Sequence, residues 1–105
     1  MSINKIQVNE IYECQSDKEL IVATVNASDG KEEFGGGRAS VEIILIDECD
    51  QETRLAGAAV HFNGRANTWV FMNSASAVVV KGQKYKVNYD ESAAPTTVEA
   101  HWQSL

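Results

Sequence analysis

Strand signals recur about every ten residues along this chain, and no window of helical length keeps a 3.6-residue period. The candidate strands are 3–13, 19–27, 40–48, 55–62, 67–72, 76–80, 84–90 and 97–103. Between them lie Ser16-Asp17, Ser28-Asp29-Gly30, Asp50-Gln51-Glu52, Asn63-Gly64, Asn73-Ser74, Lys81-Gly82 and Ala94-Pro95. These residues form turns by tolerating left-handed backbone or by bonding side chain to backbone. With 105 residues, 44% of them apolar, the chain has the length and the core material for one domain spanning 1–105. The expectation is an all-β chain of seven or eight antiparallel strands folded as a sandwich.

Alternation gives the buried faces. Tyr85, Val87 and Tyr89 share one face of their strand, and Val98, Ala100 and Trp102 share one face of theirs. Pairing these strands as a hairpin through 91–96 sets Tyr89 opposite Val98, Val87 opposite Ala100 and Tyr85 opposite Trp102. The same register puts Lys86 opposite His101. Val41-Glu42-Ile43-Ile44-Leu45-Ile46 and Leu20-Ile21-Val22-Ala23 are nearly continuous apolar runs, the pattern of central strands covered on both faces. The first strand loses phase between Val8 and Ile11, as a bulge or a strand changing sheets does.

The segment Val79-Val80-Lys81-Gly82-Gln83-Lys84-Tyr85-Lys86-Val87 resembles the turn and penultimate strand of fibronectin type III and other immunoglobulin-like domains, where the tyrosine forms a corner with upstream backbone. Gly82 and Tyr85 keep that spacing, and Val79 stands where those domains carry leucine. Lys81 replaces their proline, Gln83 replaces their threonine, and no tryptophan occupies 19–27. The resemblance covers nine residues. It implies an Ig-like sandwich and no particular ligand.

Charge narrows the function. The net charge is −6, which disfavours nucleic acid as a partner because phosphate neutralisation needs a basic face. Residues 1–52 carry twelve acids and four bases, whereas 53–105 carry three acids and five bases. Such polarity suits head-to-tail contact between copies, docking on a basic partner, or a solvated surface. No run approaches the ~18–20 apolar residues that span a bilayer, and the first residues lack a signal-peptide core. Synthesis in the cytoplasm is therefore expected, with association to a virion or similar particle open. Cys14 and Cys49 then read as free packing residues, since disulfides are rare in reducing compartments.

Two segments carry the candidate contacts. Phe34, Gly35, Gly36, Gly37 and Arg38 lie in the longest connection. They read as a flexible loop or as a partner-binding loop anchored by Phe34 and Arg38. The phosphate-loop spacing is absent. Asp47, Glu48, Asp50 and Glu52 form an acidic surface, open to calcium by ligand chemistry but without EF-hand spacing. Glu99 and His101 sit two apart on the outward face of the last strand, where cross-strand pairing is expected over acid–base chemistry. Phe62, Trp69 and Phe71 lie beside small residues at 56–59 and read as core or as an aromatic binding face.

These residues point to a non-catalytic module with no metal or cofactor, binding a protein partner or assembling with itself as a homo-oligomer or within a larger assembly. An accessory decoration or tail subunit of a phage-like particle is the specific form. The alternatives are an acidic inhibitor of a host or competitor enzyme, working through 47–52, and a carbohydrate-binding module working through Trp69.

Overall fold

The computed structural model describes residues 4–27, 38–63, 68–70, 72–91 and 96–105. They form nine strands and no helix: β1 (Asn4–Lys5), β2 (Ile11–Glu13), β3 (Lys18–Ala27), β4 (Arg38–Ile46), β5 (Glu52–Asn63), β6 (Thr68–Val70), β7 (Met72–Val80), β8 (Lys84–Glu91) and β9 (Thr96–Ser104). One sheet runs β1-β9-β3-β7 and the other β2-β8-β4-β5-β6, and every described pairing is antiparallel. The all-β sandwich expected from the sequence is the fold. Its pairings nest: β1 with β9, β2 with β8, β3 with β7, β4 with β5. A long hairpin rolled onto itself in this way is the jelly-roll winding.

The expected hairpin between 84–90 and 97–103 does not form. β8 pairs with β2 and β4, and β9 pairs with β1 and β3, so the two strands lie in opposite sheets. Lys86 lies opposite Ile11 and Ile44, and His101 opposite Lys5 and Val22. In immunoglobulin-type order the last two strands are neighbours in one sheet, so the connectivity departs from that resemblance. Both apolar faces still meet the interior. Tyr85 and Val87 are fully buried, Ala100 is buried, and Val98 and Trp102 pack against the same core. Alternation fixes the face a strand buries, and two strands facing each other across a sandwich alternate just as two strands in a hairpin do.

The phase break in the first strand marks a change of sheet. β1 lies beside β9, and Ile6 N–H extends that contact to Ala100 O at 2.9 Å. The chain then crosses to β8 through Asn9, which takes a φ of 65°, a value asparagine tolerates better than most residues. Asn9 N–H donates to Val87 O at 2.7 Å, and its side-chain oxygen accepts from Tyr89 N–H at 3.1 Å. Gln7 N–H donates to the Tyr12 hydroxyl oxygen at 2.8 Å. Local bonds thus replace the ladder where the strand leaves one sheet for the other.

The two apolar runs end differently. In β4, Val41 and Ile43 face the core, while Ile44 and Ile46 face outward yet remain buried. Lys86 and Arg54 flank Ile44, and Lys84 and Glu52 flank Ile46. Long charged side chains at such positions cover apolar surface with their stems and keep their heads in water. In β3, Ile21, Ala23 and Val25 are buried, whereas Leu20 and Val22 on the other face are only half-buried. Coverage on both faces, expected for both runs, holds only for β4.

Gly82 supplies the backbone needed between β7 and β8. Its φ is +88°, and Gln83 N–H donates to Val80 O at 3.0 Å across it, the geometry of a type II turn with glycine in third place. The turn joins the two sheets and is clasped to the β2–β3 connection: Gly82 N–H donates to Cys14 O and Cys14 N–H to Gln83 O.

Candidate interaction edge

The sequence-predicted sites do not gather into one. Phe34, Gly35, Gly36 and Gly37 lie outside the described residues. Arg38 begins β4 opposite His61 in the ladder, and its side chain lies outside them too. Phe71 lies outside them, and Trp69 is known only by register, opposite Phe62.

The acidic run divides. Asp47 Oδ1 accepts from Cys49 N–H at 2.8 Å and Gln51 N–H at 2.9 Å, and Asp50 takes a φ of 61°. Asp47 therefore shapes the β4–β5 turn, as Asx side chains do. Glu52 sits on β5 and pairs with Lys86 at 2.7 Å. Glu48 and Asp50 are left exposed. Among the described residues no three His, Cys, Asp or Glu side chains are grouped to hold a metal.

Jelly-roll winding interleaves the halves, and Glu42–Arg54 at 3.2 Å and Glu52–Lys86 join acids of the first half to bases of the second. The guanidinium of Arg54 lies over Gly57, where a Cβ would meet it. An open depression of about 440 Å³ beside this pair is lined by Ser40, Glu42, Arg54, Gly57, Ala59 and Asn73.

A buried polar cluster closes one end of the sandwich. Glu19 is 1% exposed, and its Oε2 accepts from Gln15 N–H at 3.2 Å and Ser16 N–H at 3.1 Å. Cys14 Sγ donates to Ser16 O at 3.2 Å. Burial, then the nearby Glu19 carboxylate, pushes the Cys14 thiol above its ordinary range. The same two causes push Tyr85 well above the ordinary phenol range. Tyr85 stacks on Tyr12 with ring centroids 6.0 Å apart. A raised thiol stays protonated at neutral pH, and the Glu19 carboxylate orders the 14–17 turn by accepting its backbone N–H groups. Both cysteines are free. Cys14 is the packing residue expected, while Cys49 is exposed on its turn.

The feature that sequence reading passed over is the edge made by β7. It closes one side of its sheet, opposite β1. Its residues, Met72-Asn73-Ser74-Ala75-Ser76-Ala77-Val78-Val79-Val80, include no charge and no proline, and its ladder to β3 runs without a register shift. Met72 is 63% exposed, Val78 51% and Val80 43%. The half-buried Leu20 and Val22 lie opposite Val78 and Ser76. Edge strands are ordinarily blunted by shortness, charge, proline or a bulge. β1, β2 and β6 are two or three residues long, and β5 carries Glu52, Arg54 and a register shift opposite Ile43 and Ile44. β7 alone among these described edges has none of these four devices; side chains cap only the Ser74 and Val80 N–H groups, and Asn73 Nδ2 donates to Ala59 O of β5 at 3.2 Å. The signal was visible as nine consecutive uncharged residues, but only the sheet order makes them an edge.

No family model matches the chain, and no curated protein matches it. Among solved structures, the chain is similar to the N-terminal endo-1,4-β-D-xylanase 10B of Clostridium thermocellum, crystallised as its CBM22-1–GH10 modules with xylohexaose. The identity is 10% and the TM-score 0.41, with 98% of this chain and 24% of that one covered. The chain thus spans about a quarter of that protein's length, and a likeness at this level assigns no family.

Proposed function

We propose that this chain is a non-catalytic binding and assembly module that joins a protein partner through the β7 edge and the sheet face beside it. The observation that carries the reading is an uncharged nine-residue edge strand with Met72, Val78 and Val80 exposed. Such an edge offers backbone donors and acceptors to another strand, and the adjoining apolar face adds burial when that strand arrives. Of the acidic residues that the sequence offered, Asp47 accepts backbone N–H groups of its own turn and Glu52 is paired with Lys86. An accessory subunit of a larger particle, of the decoration or tail kind, is the setting such an edge suits.

Site-specific photo-crosslinking in the producing cell tests the reading. A photoreactive residue at Val78 is expected to give discrete protein adducts, while one at Glu48, exposed on the β4–β5 turn, gives none. Adducts absent from Val78, or equal at both positions, would sink it.

A further inference from the structure

We infer that the partner of the β7 edge is a second copy of this chain, paired antiparallel about a twofold axis at Ala77. This inference rests on the assembly reading above and names its partner.

The backbone groups of β7 are free in a symmetric pattern. Lys81 N–H donates to Asp17 O at 3.2 Å, continuing the register that pairs Lys18 with Val80. Backbone groups alternate in direction along a strand. Residues 73, 75, 77 and 79 therefore point theirs at β3, and residues 74, 76, 78 and 80 point theirs at the open edge. Two of these four donors are already taken by side chains. Ser74 N–H donates to Asn73 Oδ1 at 3.0 Å, and Val80 N–H to Gln83 Oε1 at 2.9 Å. Between the capped positions lie Ser76 and Val78.

This pattern is symmetric about Ala77. In a twofold pairing centred there, Ser76 meets Val78 of the second copy, and Val78 meets its Ser76, forming two reciprocal pairs of backbone bonds. Each capped residue, Ser74 or Val80, falls opposite the other capped residue. Free groups thus meet free groups, an arrangement that an unrelated strand has no reason to match.

Side chains agree with the same register. On the outer face one row reads Leu20, Val78, then Ser76 and Val22 of the second copy, and the next row is its twofold image. The outward residues of β3 and β7 include no acid, and Lys18 is their one charge. In a chain of net charge −6, the outward residues of these two strands thus bring no acid against an acid when two copies meet. The small Ala77 sits at the axis, where opposed residues approach most closely.

Sedimentation of the purified chain over a wide concentration range tests the pairing. A concentration-dependent dimer is expected, with amide exchange slowing at Ser76 and Val78 as it forms. Ser76→Pro removes a donor used only across copies, and Val78→Lys places charges near the axis. Each is expected to weaken the dimer at least about tenfold while leaving the circular-dichroism melt of the monomer in place. In a Cys49→Ser background, Ala77→Cys should close a disulfide dimer on mild oxidation and Ala75→Cys should not, because opposed residues in a non-bonded pair lie about 4.5 Å apart at Cα. A monomer at every concentration overturns the inference, as does a dimer indifferent to both edge variants. If that monomer still crosslinks from Val78 to a different protein in cells, self-pairing fails and the assembly reading stands. If it crosslinks to nothing, both fail.

Discussion

Glu52 and Lys86 meet at 2.7 Å across the outer face of the five-stranded sheet, from the strands on either side of β4. The bridge passes Ile44 and Ile46, whose ladder positions lie between these partners and which are 6% and 8% exposed. The Lys86 side chain is 21% exposed and that of Glu52 47%, so the lysine stem gives more of the cover. Lys86→Ala is expected to cost about 1 kcal/mol, and Glu52→Gln less than about 0.5 kcal/mol, since an exposed pair contributes little by charge alone. Urea unfolding of both variants reads the difference. Equal losses would show that the ion pair, and not the stem, protects the isoleucines.

Glu19 organises the turn before β3. Glu19→Ala leaves the Gln15 and Ser16 N–H groups without their acceptor, and a loss of about 2–3 kcal/mol is expected. Glu19→Gln keeps an acceptor oxygen and should lose less. Thermal unfolding gives the ranking, and faster amide exchange at Ser16 in the alanine variant locates the damage.

Cys14 and Tyr85 are expected to erode stability at alkaline pH. Both are pushed up from their ordinary values, 9.0 and 10.0, first by burial and then by Glu19. The unfolded chain therefore releases these protons before the folded chain does. The contribution is complete below the ordinary thiol value and is lost as pH rises past 9.0 and then past 10.0. Cys14→Ala should flatten the first part of that decline and Tyr85→Phe the second, in unfolding free energies measured against pH. A thiol reagent at neutral pH should label Cys49 in the native chain and reach Cys14 only on unfolding.

Gly82→Ala isolates a backbone effect. At φ +88° an added Cβ meets no atom within 4 Å, so the penalty is conformational. It is expected to be about 1 kcal/mol. A neutral result in chemical denaturation would mean that the turn readily adopts another shape.

Much of the fold was legible because its signals are local. The predicted strand intervals overlap the observed strands, Gly82 sits in the turn its neighbours announced, and the phase slip between Val8 and Ile11 is the passage from β1 to β2. The turn expected at Asn73-Ser74 does not form: both residues lie inside β7, laddered to Val25 and Thr24, because pairing with β3 overrides their turn preference. Side-chain alternation also placed Tyr85, Val87 and Ala100 in the core. All of these depend on residue type within a few positions.

Pairing was not legible in the same way. Backbone N–H and C=O groups are alike at almost every residue, so alternation states which face of β8 or β9 is buried and leaves its ladder partner open. Tertiary winding decided that β8 and β9 face each other from opposite sheets. It also decided that Asp47 serves its turn, that Glu52 finds Lys86, and that the uncharged residues of β7 stand at an edge. The sequence alone determined most of where the described chain is extended, the turn at Gly82, and which faces of β8 and β9 are buried. The structure decided which strand is left without a neighbour, because that depends on the order in which interchangeable ladders close around a shared core.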